Sequence, residues 1–241
     1  MNGLVIVIPC FNEAARLPFK SYQQFLRNSN DVSLFFVNDG STDTTLALLQ
    51  QLKKNHPEKV AYLDVSPNQG KAEAVRRGMQ VVIQFDYLKF AYLDADLSTS
   101  LEECTALAEQ VDSNLPFVFA SRILKIDNHI QRKWHRFLIG RIVATIISKM
   151  LGIKVYDTQC GCKIFERETA TALFEAPFLS KWLFDVELFF RMINRVGREN
   201  MGTRTKEVPL KQWIDTVDSR VQLSYGFVLW LDLIKIYIRY R

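Results

Sequence analysis

Residues 92–100 read YLDADLSTS, with Asp94 and Asp96 one residue apart directly after the apolar run FAYL. Ionised carboxylates at the end of a buried strand are costly to desolvate without a partner. Along an extended segment residues i and i+2 point to the same side, so both carboxylates can face one hard cation while Ala95 stays small between them. Mg²⁺ or Mn²⁺ held by one or two carboxylates, waters and substrate phosphates suits such a pair. The same residues would also serve as a helix cap beside a solvated aspartate; the neighbouring motifs favour the metal. Asp39 in NDGSTD offers either a turn and cap, for which Asp, Gly and Ser are preferred, or a carboxylate for a nucleobase edge. Glu13 in PCFNE offers the same two readings. Gly70 and Lys71 can set a helix N-terminus and an ammonium near a diphosphate, although neither a P-loop nor a GxGxxG motif is present.

These residues need elements to hold them. The runs at 4–8, 33–37, 60–65, 90–94 and 117–121 have strand length and are apolar on successive residues, as strands covered on both faces are. Between them, Thr44–Asn55, Lys71–Gln84 and Leu101–Asp112 have helical spacing, with Asp43 and Ser100 as caps. This alternation predicts an α/β fold, a layered sheet and helices with ligands at the carboxyl ends of the strands. PCFNE, NDGSTD, NQGKAEAVRRG, DAD and Ser121-Arg122 follow the five runs in turn, which predicts one site built by five loops. Beyond residue 122 come an amphipathic helix over Trp134–Leu151, then YDTQCGCKIF, a helical KWLFDVELFFRMI, a strand-like TKEVPLKQW and a final amphipathic FVLWLDLIKIYIRYR.

At 241 residues, 48% apolar and 24% charged, the chain has the size and composition of one globular domain. Its halves read as 1–122, carrying the early motifs, and 123–226, with 227–241 as an appended helix. A net charge of +5 and a pI near 9.0 favour an anionic partner. No nucleic-acid motif accompanies the charge, so phosphate on a substrate or a lipid surface is expected instead. Cys10, Cys104, Cys160 and Cys162 lack the ligand pairs of a zinc site and read as reduced, packed thiols. No run reaches the roughly eighteen apolar residues of a membrane span, and LVIVIP follows the start without signal-peptide features. A cytoplasmic location is expected.

IPCFNE, VNDGSTD, NQGKAEAVRRG and LDADLST, in this order and spacing, resemble the nucleotide-sugar half of family 2 glycosyltransferases of the GT-A fold. YDTQCGCKIF, WLFDVELFF and EVPLKQW extend the resemblance to the polyprenyl-phosphate glycosyltransferases, with the dolichyl-phosphate β-glucosyltransferases most similar and the mannosyltransferases nearby. The resemblance implies a mostly parallel sheet flanked by helices. It implies that Pro9, Phe11, Glu13, Val37 and Asp39 surround base and ribose, with Lys71 and Ala95 also on the donor side. Asp94 and Asp96 would hold Mg²⁺ or Mn²⁺ on the diphosphate, with Ser98 as a further ligand. Arg122 would meet a phosphate, joined on the acceptor side by Arg132, Arg136 and Arg220, while Asp157, Gln159, Asp185 and Glu187 would line the sugar and acceptor. Two departures stand out: Asn38 replaces the first acid of the family's DDGS, and Ile214 replaces a lid arginine of the mannosyltransferases.

The expected reaction is inverting transfer of a hexose from a nucleoside diphosphate sugar, UDP-glucose first, to a polyprenyl phosphate. The alternatives are mannosyl transfer from GDP-mannose, transfer to a saccharide or protein hydroxyl with Asp185 or Glu187 as base, and a non-catalytic membrane-associated partner. In the C-terminal helix Asp232, Lys235 and Arg239 form a narrow polar stripe, which predicts peripheral attachment to an anionic membrane or, alternatively, burial against the domain or a second subunit.

Overall fold

The computed structural model describes residues 2–131, 134–214 and 225–241, with backbone alone at residues 2, 131, 134–136 and 225–227. Strands β1 (Asn2–Cys10), β2 (Val32–Asp39), β3 (Val60–Val65), β4 (Tyr87–Leu93) and β5 (Phe117–Ser121) coincide with the five apolar runs. Their unbroken hydrophobicity has a simple cause. Alternate residues of each strand point to opposite faces, and both faces are covered. Val5, Val7, Phe35, Val37, Phe90, Tyr92, Phe117 and Phe119 enter one core. Their neighbours Leu4, Ile6, Leu34, Phe36, Ala91, Leu93, Val118 and Ala120 enter the other.

The seven-stranded sheet has the order β3-β2-β1-β4-β7-β5-β8, where β7 is Cys162–Glu166 and β8 is Thr205–Pro209. β7 runs antiparallel to both β4 and β5, and the other pairings are parallel. The second half of the chain is thus woven into the sheet of the first. The strand-like TKEVPLKQW divides: its first part is β8, and its end enters β9 (Gln212–Ile214), which pairs with β6 (His129–Gln131) in a separate two-stranded sheet. Strand order reverses between β1 and β4, since β2 and β3 lie to one side and the later strands to the other. Ligand crevices open at such a switch point, beyond the carboxyl ends of the strands.

Helices α1 (Phe19–Asn28), α2 (Thr45–Asn55) and α4 (Leu101–Ala108) cover one face. α1 is not among the helices expected from spacing; its buried stripe is Tyr22, Phe25 and Leu26. Ser100 caps α4 through its hydroxyl, which accepts from the Glu103 N–H at 3.1 Å. The other face carries α3 (Lys71–Val82), α5 (Trp134–Leu151), α6 (Arg167–Phe174), α7 (Phe184–Val196) and α9 (Tyr225–Tyr240), with the single turn α8 (Met201–Arg204) leading into β8. α5 buries Ile147 and Leu151, while Leu138 and Ile142 on its expected apolar side are exposed. Leu233 and Ile236 of α9 are buried in the same core, and Tyr240 stacks on Phe190 of α7 with ring centroids 5.5 Å apart. All four cysteines are buried and free. Among the described residues no helix is long and apolar enough to cross a membrane.

Candidate active site

Three loops at the carboxyl ends of β1, β2 and β3 lock together. Asn12, at φ +49°, accepts the Thr42 N–H at 2.7 Å, while the N–H groups of Asn12 and Glu13 donate to Ser41 Oγ and Thr45 Oγ1. Glu13 is buried and ion-paired with Arg16 at 2.8 Å, whereas Phe11 stands half-open at the rim and Pro9 is partly buried. Asp39 is buried; its carboxylate accepts from Asn68 Nδ2 at 2.9 Å and from the N–H groups of Gln69 and Gly70, each at 2.8 Å. Burial pushes the Asp39 carboxyl up, and these N–H groups pull against that shift. Gly40, at φ +69°, has no room for a Cβ, which would fall 2.6 Å from the Asn68 nitrogen. Asp39 therefore ties the β2 turn to the loop that opens α3.

Asn38 also finds its reason here. It faces Asp64 across the β2–β3 ladder and donates to that carboxylate at 2.7 Å. An aspartate in its place would set like charges opposite each other. Val37 corrects an expectation. Alternation turns its side chain to the α3 face, where it is fully buried, and Gly78 makes room for it: a Cβ there would lie 2.8 Å from Val37 Cγ2. The Val37 side chain cannot meet a base.

Beyond β4 the chain does not stay extended. The Leu97 N–H donates to the Asp94 carbonyl at 3.2 Å and Leu97 has φ +53°, so Asp94–Leu97 is a turn. Strand alternation is thus not what arranges the two aspartates; tertiary contacts hold this turn. The Tyr22 hydroxyl donates to the Ala95 carbonyl at 3.0 Å, the Ser98 N–H donates to Asp96 Oδ1 at 3.0 Å, and the Asp94 N–H donates to the Gly161 carbonyl at 3.1 Å. Asp94 is partnered by Lys71, whose Nζ lies 2.5 Å from Oδ1. Burial works against the Lys71 charge, but Asp94 above all, followed by Asp185 and Asp96, holds its pKa above the ordinary lysine value. Gly161 abuts the Asp94 carboxylate so closely that a Cβ would overlap it.

On the other side, Arg122 follows β5 and forms a two-pronged ion pair with Asp157, Nε to Oδ2 at 2.6 Å and Nη2 to Oδ1 at 2.8 Å. Burial opposes both charges, yet each partner more than offsets it: the arginine is held above its usual range and the carboxyl well below its own. The guanidinium also lies 5.3 Å from the Trp213 ring. Glu207 of β8 accepts the N–H groups of Tyr156 and Asp157 at 3.0 and 2.8 Å, and the partly buried Gln159 donates its N–H to Asp157 at 3.1 Å. Arg132 and Arg220 lie outside the described residues, as does the Arg136 side chain. Ile214 ends β9, partly exposed.

Asp185 and Glu187 part company. Two positions apart on a helix means about 200° of rotation, so α7 cannot turn both to one site. Asp185 points under the site, where Lys163 reaches it at 2.6 Å and the Tyr92 hydroxyl also donates to it. Glu187 points away: it is fully buried and accepts from the N–H groups of Leu179 and Ser180 at 2.9 and 3.0 Å and from the Tyr240 hydroxyl. The Glu187 carboxylate, expected on the acceptor side, is thus occupied by these N–H groups and Tyr240. Lys163, Trp213, Glu207 and Gly161 are the residues that sequence reasoning left without roles. The visible signal was a charged residue inside the apolar strand CKIFE and a glycine just before it.

The sequence pattern described as Glycosyl transferase family 2 matches residues 5–174. A dolichyl-phosphate beta-glucosyltransferase of Trichomonas vaginalis is 30% identical over 253 residues, spanning 99% of this chain and 74% of that protein. A polyprenol monophosphomannose synthase of Mycolicibacterium smegmatis is 26% identical over 207 residues, 86% of this chain and 76% of that one. Among solved structures, the glucosyl-3-phosphoglycerate synthase of Mycobacterium tuberculosis in complex with Mn²⁺, UDP and phosphoglyceric acid superposes with a TM-score of 0.69. At 17% identity over 98% of this chain and 78% of that one, it shares the fold. With a switch-point site built from the loops this family's pattern covers, the chain belongs to glycosyl transferase family 2 and is a glycosyltransferase.

Proposed function

We propose that this enzyme transfers glucose from UDP-glucose to a polyprenyl phosphate with inversion at the anomeric carbon. The observation that carries the reading is the presence of two unlike charged stations at the carboxyl ends of the strands. Lys71 opens α3 and pairs with Asp94 in the turn after β4, which also carries Asp96, and the Arg122–Asp157 pair follows β5 at the same end of the sheet. The names of the relatives support the acceptor and the sugar. Mannosyl transfer from GDP-mannose is the second reading, favoured by the likeness to a polyprenol monophosphomannose synthase.

The residues present fit a divalent cation. Asp94 and Asp96 supply hard oxygen donors, with Ser98 beside them, and Gly161 leaves the Asp94 carboxylate the space a side chain would take. Among the described residues no third acid, histidine or cysteine joins them, which suits Mg²⁺ or Mn²⁺ completed by diphosphate and water. When bound, the cation would offset the charge on the departing diphosphate. Lys71 and the α3 N-terminus act on the same anion from the protein side. The bonds from Arg122 to Asp157 use two of the five guanidinium N–H groups, leaving the rest of the fork to orient the acceptor phosphate. No side-chain base is needed. A phosphate monoester has a second pKa of about 6, so the acceptor arrives as a dianionic nucleophile, and catalysis rests on alignment and charge stabilisation.

A peripheral position on an anionic membrane accompanies this reading. Trp230, Leu231, Ile234 and Ile238 of α9 are exposed, as are Leu138 and Ile142 of α5. Apolar faces with basic residues nearby suit an interfacial position. The deciding experiment titrates UDP-glucose, UDP-GlcNAc and GDP-mannose with Mn²⁺ and then offers polyprenyl phosphate or sugar alcohols as acceptors. UDP-glucose with polyprenyl phosphate is the expected productive pair, and turnover with sugar alcohols alone would overturn the proposal.

A further inference from the structure

Lys163 is fully buried in β7, on the face that carries Phe165, and the chemistry proposed above makes no use of it. Its Nζ donates to the Cys160 carbonyl at 2.8 Å and to Asp185 Oδ1 at 2.6 Å, and lies 5.4 Å from the Tyr92 ring. Tyr92 turns its hydroxyl to the same carboxylate oxygen. One ammonium thus joins β4, β7, α7 and the Cys160–Gly161 turn. Fixing α7 on the sheet does not call for it, because apolar side chains of similar volume commonly replace a buried ion pair without loss of stability. What apolar residues cannot do is hold a carbonyl in place.

The carbonyl that Lys163 holds belongs to Cys160, and the next residue is Gly161. Gly161 accepts the Asp94 N–H at 3.1 Å, and its α-carbon presses on the Asp94 carboxylate. Asp185 also adds to the field on Lys71, second among its carboxylates only to Asp94. We infer that Lys163 and Asp185 are positioning residues that clamp the Cys160–Gly161 turn against Asp94 and so set how tightly the site holds a divalent cation and diphosphate. The inference rests on reading Asp94 as a carboxylate of the metal–diphosphate site.

The test compares the full-length protein with Lys163→Met/Asp185→Leu and Lys163→Arg. Mn²⁺ binding in the presence of UDP is read by electron paramagnetic resonance, UDP-glucose affinity by calorimetry, and stability by urea unfolding. The double variant removes both charges but takes partners from the buried Tyr92 hydroxyl and Cys160 carbonyl, so a lowered unfolding midpoint is expected. In the protein that remains folded, Mn²⁺·UDP affinity should fall about 10- to 100-fold, as when supports behind metal ligands are lost. The KM for the donor should rise more than kcat falls. Lys163→Arg keeps the charge pair but shifts the N–H that holds Cys160, and should bind with intermediate affinity. A stably folded double variant that binds Mn²⁺·UDP like the wild type overturns the clamp. If the double variant does not fold, Lys163→Arg decides: weakened binding with unchanged unfolding supports the clamp, and unchanged binding overturns it. Absence of Mn²⁺·UDP binding by the wild type would overturn the metal reading, and the clamp with it.

Discussion

At the scale of single residues, the site keeps its charges in pairs, and the pairs decide what substitutions do. Asp96→Ala should abolish Mn²⁺-dependent donor binding in calorimetry, with Asp96→Asn retaining weak activity, because an amide oxygen remains but its charge is gone. Full turnover by Asp96→Ala in EDTA would rule out the metal role. Arg122 and Asp157 have side chains only 16% and 9% exposed, so removing either leaves a buried charge without its partner. Arg122→Ala and Asp157→Ala should each cost about 3–5 kcal/mol in urea unfolding. Arg122→Ala should also raise the KM for the acceptor more than the donor Kd. The pH dependence has a definite sign. Arg122 outweighs the burial that opposes ionisation and holds the Asp157 carboxyl well below its usual range. Its contribution is therefore complete above the unfolded pKa of about 3.9 and is lost as pH falls below it. Asp157→Asn should flatten stability against pH in that acidic window.

Elements carry a second set of consequences, and α9 is the clearest. Its inner stripe, Leu233 and Ile236, is part of the core, and Asp232 of the expected polar stripe turns inward to accept the Ser180 hydroxyl at 2.7 Å. Ser180 belongs to the same loop that Glu187 pins by its N–H groups, and the next residue, Lys181, accepts the Ala72 N–H at 3.2 Å at the start of α3. Deleting α9 would thus disturb the core and this loop together. Point substitutions separate the two faces. Ile236→Ala should cost about 2–5 kcal/mol as a core truncation. Ile234→Glu/Ile238→Glu, on the exposed face, should leave the unfolding midpoint unchanged while reducing flotation with anionic liposomes. Equal flotation would remove this helix from the proposed membrane surface.

Taken as a whole, the molecule places its chemistry where the parallel sheet changes direction, and β7 closes the gap between β4 and β5 with the DTQCG loop at its start. In the proposed reading the donor station comes from the first half and the acceptor station from both. With the acceptor phosphate as its own nucleophile, the whole reaction should take its pH dependence from the substrate. Activity should fall on acidification through the acceptor's second pKa, about 6, and the acidic limb should move when a phosphonate acceptor of different pKa is used. A limb that stays in place would point to a side-chain base.

The sequence by itself determined the five strands of the first half, because strands covered on both faces must be apolar at every position, and it determined the order of loops around the site, because each motif ends a strand. Ser100 as a cap and the extent of α5 were equally local facts. Tertiary structure decided the partners. Asp94 meets Lys71 and Gly161 across long stretches of chain, Arg122 is joined to Asp157, and Lys163 lies beneath the site against Asp185. Strand and helix periodicity says which face a residue takes, yet Asp185 and Glu187 were both expected on the acceptor side, and the structure is what separates them. Periodicity does not say what stands opposite that face. That depends on which strands become neighbours, and the insertion of antiparallel β7 between β4 and β5 is a long-range pairing that no local pattern encodes.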